Sequence, residues 1–164
     1  MKENKIKITK TDDEILAITR LANEIWTQHY LPIIGQEQVD YMLIKYQSYE
    51  AISRQIKDGY IYYLAFNKEI PCGYCSIKKE NGIFLSKFYV RDSFRGRGIG
   101  SAMIKTIEDY GRDKALGRLW LTCNKNNSRT LSIYKKLGFS IIGSIVTDIG
   151  NGFVMDDYML EKQI

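Results

Sequence analysis

The stretch "SKFYVRDSFRGRGIGSAMIKTIEDYG", Ser86 to Gly111, carries the reading of the fold. A strand-like run ends at Val90. Gly96, Gly98 and Gly100 follow, flanked by Arg95 and Arg97, and a helical pattern begins at once. Ile99, Met103, Ile107 and Tyr110 lie on one helix face. Lys105, Glu108, Asp109 and Arg112 lie on the other, with Glu108 and Arg112 a favourable i,i+4 pair. The helix is therefore anchored in a core, although its first turn is built from weak helix formers. The opening N–H groups of a helix have no internal partners and sit at the positive end of its dipole. Glycines let a bulky anion reach those groups, and the two arginines add charge. The pattern is a phosphate cradle suited to a pyrophosphate, which spans several successive amides. It is not a P-loop, because no Lys follows Gly100. Its G-x-G-x-G spacing is not the dinucleotide fingerprint either. Taken alone, an Arg–Gly-rich surface turn is the alternative, and it is the less favoured one.

Outward from this stretch the chain reads as strands and helices in mixed order. "KIKIT" alternates and predicts a first strand, Ile6 to Thr9. "TDDEILAITRLANEIWTQHY" predicts a helix capped by Asp12 or Asp13, with an apolar stripe of Ile15, Ile18, Ala22, Ile25 and Trp26. Pro32 and Gly35 break the chain. Helices are expected from Glu37 to Tyr46 and from Tyr49 to Lys57. "YIYYLAF", "IPCGYCSIK" and "GIFLSKFYV" predict three strands joined by tight turns at Asn67–Lys68 and Asn81–Gly82. After the helix from Gly98 to about Leu116, "RLWLTC" reads as a buried strand and "NSRTLSIYKKLG" as a short helix closed by Gly138. "FSIIGSIVTDI" and "FVMDDYML" are the last two strands. A β-meander followed by β-α-β crossovers, without linker or repeat, predicts one mixed α/β domain over residues 1–164.

Composition bounds the function. An excess of 24 Lys and Arg over 19 Asp and Glu is spread along the chain and fits an anionic ligand as well as it fits nucleic acid. "MKENKIKITK" lacks the apolar core of a signal peptide, and no run reaches the length of a membrane helix, so a cytoplasmic protein without a membrane partner is expected. Cys72 and Cys75 form "CGYC" in a strand, where residues three apart face opposite sides. With only Cys123 and His29 left to complete a site, the cysteines read as buried small hydrophobes and no metal is expected. His29 is the only histidine and reads as a polar residue near a helix end. A nucleic-acid module built on "RDSFRGRG" lacks a recognised motif and interleaved exposed aromatics.

A second constellation strengthens the first. "NNSRTLSIYKKLGF" puts Asn127 at a helix start and Tyr134 seven residues later. Seven residues are close to two turns, so the Asn127 amide and the Tyr134 hydroxyl share a face, with Thr130 and Leu131 between. An Asn cap plus a core Tyr is the plainer alternative for this segment by itself.

With both constellations in view, the chain resembles the GNAT superfamily of acetyl-CoA-dependent N-acetyltransferases. The motif R/Q-x-x-G-x-G/A is met by Arg95, Gly98 and Gly100. The motif N-x-x-A-x-x-x-Y-x-K-x-G-F is met by Asn127, Tyr134, Lys136, Gly138 and Phe139, with Thr130 at the small position. "EIWTQHYLPIIGQEQVDYML" and "DIGNGFVMDDYMLEK" look like the PaiA-type spermine/spermidine acetyltransferases. The resemblance implies a sheet of about seven strands flanked by helices and splayed between the fourth and fifth. It implies acetyl-CoA as co-substrate, a small-molecule amine as acceptor, and a homodimer as a common assembly. Carried over by position, Phe88, Tyr89 and Val90 meet the acetyl-pantetheine arm, with the Phe88 N–H as oxyanion donor. Arg95, Gly96, Arg97, Gly98, Ile99, Gly100 and Ser101 hold the pyrophosphate. Asn127 and Lys136 lie on the cofactor side, and Tyr134 donates a proton to the leaving thiolate.

One position departs from the pattern. Many relatives carry a Glu two residues before the aromatic of the strand; here it is Ser86, whose hydroxyl can order a water but cannot act as a base near neutral pH. An alkylammonium of pKa about 10.4 must still lose a proton before it attacks. Glu24, Glu37, Asp40, Asp156 and Asp157 are the unranked carboxylate candidates. A polyamine acceptor would require the same residues to converge into an acidic pocket. The alternatives are a peptide N-terminus, another small amine, or a non-catalytic acyl-CoA-binding domain.

Overall fold

The structure is a computed structural model that describes residues 3–164. Met1 and Lys2, which open the stretch read as lacking a signal-peptide core, lie outside the described residues. The first strand, β1, covers Asn4–Ile8, two residues earlier than expected at its start. Helix α1 spans Asp12–His29. Its N-cap is Thr11 and not Asp12 or Asp13. The Thr11 hydroxyl accepts from the Glu14 N–H while the Glu14 carboxylate accepts from the Thr11 N–H, a reciprocal capping box. That carboxylate also takes the Lys10 N–H and the Lys7 ammonium, which hold its pKa down to about 2. Pro32 starts a one-turn helix, α2, Leu31–Ile34, which the sequence reading missed. Helices α3, Gln36–Gln47, and α4, Tyr49–Lys57, follow as expected.

The meander comes next: β2, Ile61–Asn67; β3, Ile70–Lys79; and β4, Ile83–Val90. Its turns hold Lys68, Glu69, Asn81 and Gly82 at positive φ, the geometry of tight hairpin turns. A short 3₁₀ turn at Asp92–Phe94 leads to α5, Ile99–Asp113. Then come β5, Arg118–Asn124; α6, Ser128–Lys136; β6, Ser140–Gly150; and β7, Phe153–Gln163. The seven strands form one sheet in the order β1-β2-β3-β4-β5-β7-β6. Helices α1, α3 and α4 cover one face around Ile18, Ile25, Ile52 and Leu64. Helices α5 and α6 cover the other around Met103, Ile107, Leu119 and Leu121.

Two irregularities shape the sheet. The parallel β4–β5 ladder contains only Ile83↔Leu119 and Phe84↔Trp120. Beyond it the two strands diverge while each stays paired on its outer side, β4 to β3 as far as Val90 and β5 to β7 as far as Asn124. This is the expected splay. Bulges supply the second irregularity. Ala65 pairs with Gly73 and Phe66 with Pro71, so Cys72 is an extra residue. The extra residue resets the alternation, and Cys72 and Cys75 face the same core instead of opposite sides. Likewise Ser76 pairs with Lys87 and Ile77 with Leu85, so Ser86 is the extra residue in β4. After it, Phe88 and Val90 face α5, while Tyr89 packs with Trp26 of α1 and with Tyr30 just after it.

Gly82 sits at the hinge of the splay. Its φ is 98°, and a Cβ there would lie 2.5 Å from the Arg118 carbonyl oxygen. Gly82→Ala should cost about 1–3 kcal/mol through left-handed strain and this clash. Urea denaturation of the two proteins measures it; equal stability would mean that the hinge is not held as described.

Candidate functional site

The splay opens a cavity of about 1110 Å³. It runs from the start of α5, between β4 and β5, to a lobe under α1–α3 on the other face of the sheet. At its first end Gly98 is the N-cap of α5, at φ 77°, and Gly96 has φ 75°. A Cβ at Gly96 would meet nothing within 4 Å, and one at Gly98 only the Asn4 amide nitrogen at 3.9 Å. Backbone conformation, not space within the protein, is what these positions demand. The turn is tied down from β1 by Asn4 Nδ2, which donates to the Arg97 carbonyl at 2.8 Å. The first N–H groups of α5 face the cavity end, where Gly96, Gly98, Ile99, Gly100, Ser101 and the Arg95 side chain form the wall. These residues fit an acetyl-CoA pyrophosphate: free amides, a helix N-terminus and a guanidinium.

Between the diverging strands the backbone is presented in a regular way. The Arg91 N–H donates to the Cys72 carbonyl on β3. By the alternation of an antiparallel ladder, the N–H groups of Phe88 and Val90 therefore point the other way, into the gap. The Phe88 ring packs on Tyr134 at 5.8 Å and lies 3.5 Å from a Cβ built at Gly100. Tyr134, 6% exposed, stands on the cavity wall and is also braced by Phe139 at 5.5 Å. Burial raises its pKa well above the usual phenol value, so it stays protonated at neutral pH.

The expected site residues divide as follows. Ser86, Phe88, Tyr89, Val90, Arg95, Gly96, Gly98, Ile99, Gly100, Ser101 and Tyr134 all meet at the cavity. Arg97, Asn127 and Lys136 do not line it. The Arg97 guanidinium lies over the Phe94 ring at 4.9 Å. Lys136 is exposed on α6. Asn127 is 2% exposed, and its Oδ1 accepts from His29 Nε2 at 3.0 Å. Its Nδ2 has no hydrogen-bond partner among the described residues. His29, read as a polar residue at a helix end, is the last residue of α1 and stands on the wall in front of Asn127. Burial lowers its pKa.

Sequence reasoning missed two cations at the cavity. Arg129, in the first turn of α6, joins Arg95 there; its only signal was a basic residue two places after Asn127. Lys87, 5% exposed, interrupts the apolar run of β4. Its ammonium donates to the Tyr46 carbonyl, to Gln55 Oε1 and to the Tyr62 hydroxyl, all neutral. Burial holds its pKa down to about 7. The acidic pocket that a polyamine acceptor would require does not form. Glu24 pairs with Arg91 at 2.8 Å, Asp156 with Lys125 at 3.0 Å, and Asp40 accepts from Gln36 at 2.7 Å. Neither these three nor Glu37 lines the cavity; Asp157 alone of the five does. No group of three or more His, Cys, Asp or Glu able to hold a metal occurs among the described residues. No described helix is long and apolar enough to cross a membrane.

Comparison with known proteins agrees with this geometry. A PaiA N-acetyltransferase from Thermoplasma acidophilum, solved in complex with coenzyme A, superposes with a TM-score of 0.80 at 22% identity, covering 98% of this chain and 99% of that one. A bovine thialysine N-epsilon-acetyltransferase is 38% identical over 60 residues, 37% of this chain and 35% of that protein. An Escherichia coli spermidine N(1)-acetyltransferase is 33% identical over 58 residues, 35% of this chain and 31% of its own length. The chain thus spans about a third of the length of these two curated relatives. Residues 17–139 match the acetyltransferase (GNAT) family, and with the splayed sheet and glycine turn described above, the chain belongs to that family.

Proposed function

We propose that the protein transfers the acetyl group of acetyl-CoA to the primary amine of a small molecule by direct attack on the thioester. The observation that carries this reading is the continuity of one cavity. It joins the α5 N-terminus, the inward N–H groups of the splay, the Tyr134 hydroxyl and the lobe under α1–α3. Acetyl-CoA supplies an activated acyl group when bound. The residues of this chain do the rest. The glycine turn with Arg95 and Arg129 holds the pyrophosphate. The Val90 N–H meets the pantetheine arm. The Phe88 N–H donates to the oxygen on which negative charge develops. Tyr134 gives its proton to the departing thiolate, a task suited to a phenol that remains protonated.

The lobe narrows the acceptor. Trp26, Tyr30, Ile34, Met42 and Met155 make it largely apolar and aromatic. Its cations, Lys45, Arg54, Lys78 and Lys87, outnumber its carboxylates, Asp58, Glu80 and Asp157. A single ammonium on an apolar body suits this wall better than a polycation does. A second reading, a polyamine acceptor, rests on the relatives named as spermidine or spermine acetyltransferases.

Three outcomes test these assignments. Gly98→Glu should abolish acetyl-CoA binding in calorimetry, because it adds left-handed strain and a negative charge at the pyrophosphate amides; unchanged affinity in the folded variant would refute the cradle. Tyr134→Phe should lower turnover by about 10²–10⁴-fold, as loss of a general acid does, with acetyl-CoA affinity preserved. Retained turnover, with chemistry shown to limit the rate, would remove Tyr134 from the mechanism. Finally, thiol release from acetyl-CoA should be faster with phenethylamine than with spermidine, and the phenethylamine KM should be nearly independent of salt. A preference for spermidine with a KM that rises with salt would instead favour the polyamine.

A further inference from the structure

The bulge residue Ser86 leaves β4 without a carboxylate at the centre of the site, while one carboxylate on another strand is buried there without a use. On β7, Met155, Asp157 and Met159 stand on the cavity wall, while Tyr158 and Leu160 pack toward the opposite core. Asp157 pairs in register with Asn124 on β5 and Ile145 on β6. This places it at the open end of the splay. The closed end is marked by Phe84↔Trp120, with Glu161 opposite Trp120 on β7. Four residues of strand, about 13 Å, separate the two levels. The other two carboxylates of the cavity belong to the region of the closed end. Asp58 caps α4, and Glu80 precedes the β3–β4 turn.

Asp157 is 2% exposed, and its Oδ1 has no hydrogen-bond partner among the described residues. A buried carboxylate oxygen without a donor is costly, so such groups are ordinarily paired. The Thr122 hydroxyl hydrogen-bonds the carboxylate and partly offsets its burial, but Oδ1 is left without a donor. On β5 it has the Thr122 hydroxyl and the Cys123 thiol beside it, and Tyr30 faces it from the end of α1. Lys125 is engaged by Asp156, its neighbour in sequence. His29 is bonded to Asn127, and the Tyr134 phenol, which burial keeps protonated, stands on the same cavity wall.

We propose that Asp157 is the catalytic base, which receives the acceptor ammonium at its free Oδ1 and removes the proton that blocks attack. This inference rests on the acetyl-transfer reading above. The proton passes from R–NH₃⁺ to the Asp157 carboxylate and later to solvent. The freed nitrogen lone pair forms the N–C bond to the thioester carbonyl, and the C–S bond breaks. The thiolate takes the Tyr134 proton, and the second proton lost from nitrogen restores the phenol. The net change is amine hydrogen for acetyl, with CoA thiol and one proton released. Burial raises the Asp157 pKa to about 6, with Asp156 adding to the rise and Thr122 and Lys125 opposing it. The group is thus ionised at neutral pH yet more basic than an ordinary Asp.

The test is Asp157→Asn in the full chain, assayed with acetyl-CoA and a panel of primary amines that includes phenethylamine and spermidine, from pH 6 to 10. Wild-type kcat/KM should rise around pH 6 and level off from 7 to 9. The variant should bind acetyl-CoA normally but lose about 10²–10⁴-fold at pH 7. Its rate should then climb about tenfold per pH unit and approach wild type near the amine pKa of about 10, where the free amine needs no base. A variant as fast as wild type at pH 7, or one with the same deficit at pH 7 and pH 10, overturns the assignment. So does a limb near pH 6 that survives in Asp157→Asn and disappears in His29→Gln. If the variant fails to bind acetyl-CoA, the wild-type profile decides alone: a tenfold rise per unit up to pH 10, with no plateau, refutes the base. Transfer to no amine of the panel by wild type defeats the proposed function itself, and this inference with it.

Discussion

Everything in the site depends on a ladder that stops. β4 and β5 share two register pairs and then part, although each remains bonded to its outer neighbour. Main-chain groups at a strand edge must find partners, in the next strand, a side chain, water or a ligand. The divergence therefore creates a surface of directed N–H groups inside the protein. The outer pairings keep that surface rigid. The hairpin turn at Asn81–Gly82 and the close approach of Gly82 to Arg118 hold the strands together at one end, so the opening is confined to the other. The catalytic arrangement proposed here is thus a property of backbone topology first and of side chains second.

The cavity has two chemically different halves. The α5 end offers amides, Arg95 and Arg129, and is built for an anion. The lobe end is aromatic and apolar with a buried Lys87 and a buried Asp157. The single-residue bulge at Ser86 connects them. Without the extra residue, Phe88 would turn from Gly100 and Tyr134 toward α1, and Lys87 and Tyr89 would turn toward α5. One inserted residue therefore sets which side chains face the α5 side and which face the α1 side.

The sequence made much of this legible. The glycine spacing before an amphipathic run located α5, and the segment following Asn127 located α6. Alternation and turn residues located every strand of the sheet. What failed did so for identifiable reasons. Strand alternation put Cys72 and Cys75 on opposite sides because a bulge cannot be counted from a single strand; it exists only in the pairing. Asn127 and Lys136 matched a motif, yet one is bonded behind His29 and the other is exposed, since motif position does not fix side-chain direction. Thr11 outcompeted Asp12 and Asp13 as a cap because its box with Glu14 satisfies donors at both ends. The five acidic candidates were chosen by segment. Only folding could reveal that salt bridges and side-chain contacts occupy several of them and that Asp157 is buried on the cavity wall with one oxygen lacking a donor.

Asp157 also bears on how the protein tolerates acid. Glu14, held down to about 2 by the Lys10 N–H and the Lys7 ammonium, follows the common rule: its contribution to stability is complete above the ordinary Glu value and is lost as pH falls through 2. Asp157 runs the other way. The folded state binds its proton more tightly than the unfolded chain does, so its neutral form is the one that suits the fold. Its contribution is greatest below the ordinary Asp value near 4 and declines as pH rises to about 6, where the carboxylate forms. At neutral pH the molecule carries a charge that its own folding disfavours. A sequence selected for durability alone would place an amide or an apolar side chain at this position; as the proposed base, Asp157 would exchange stability for reactivity.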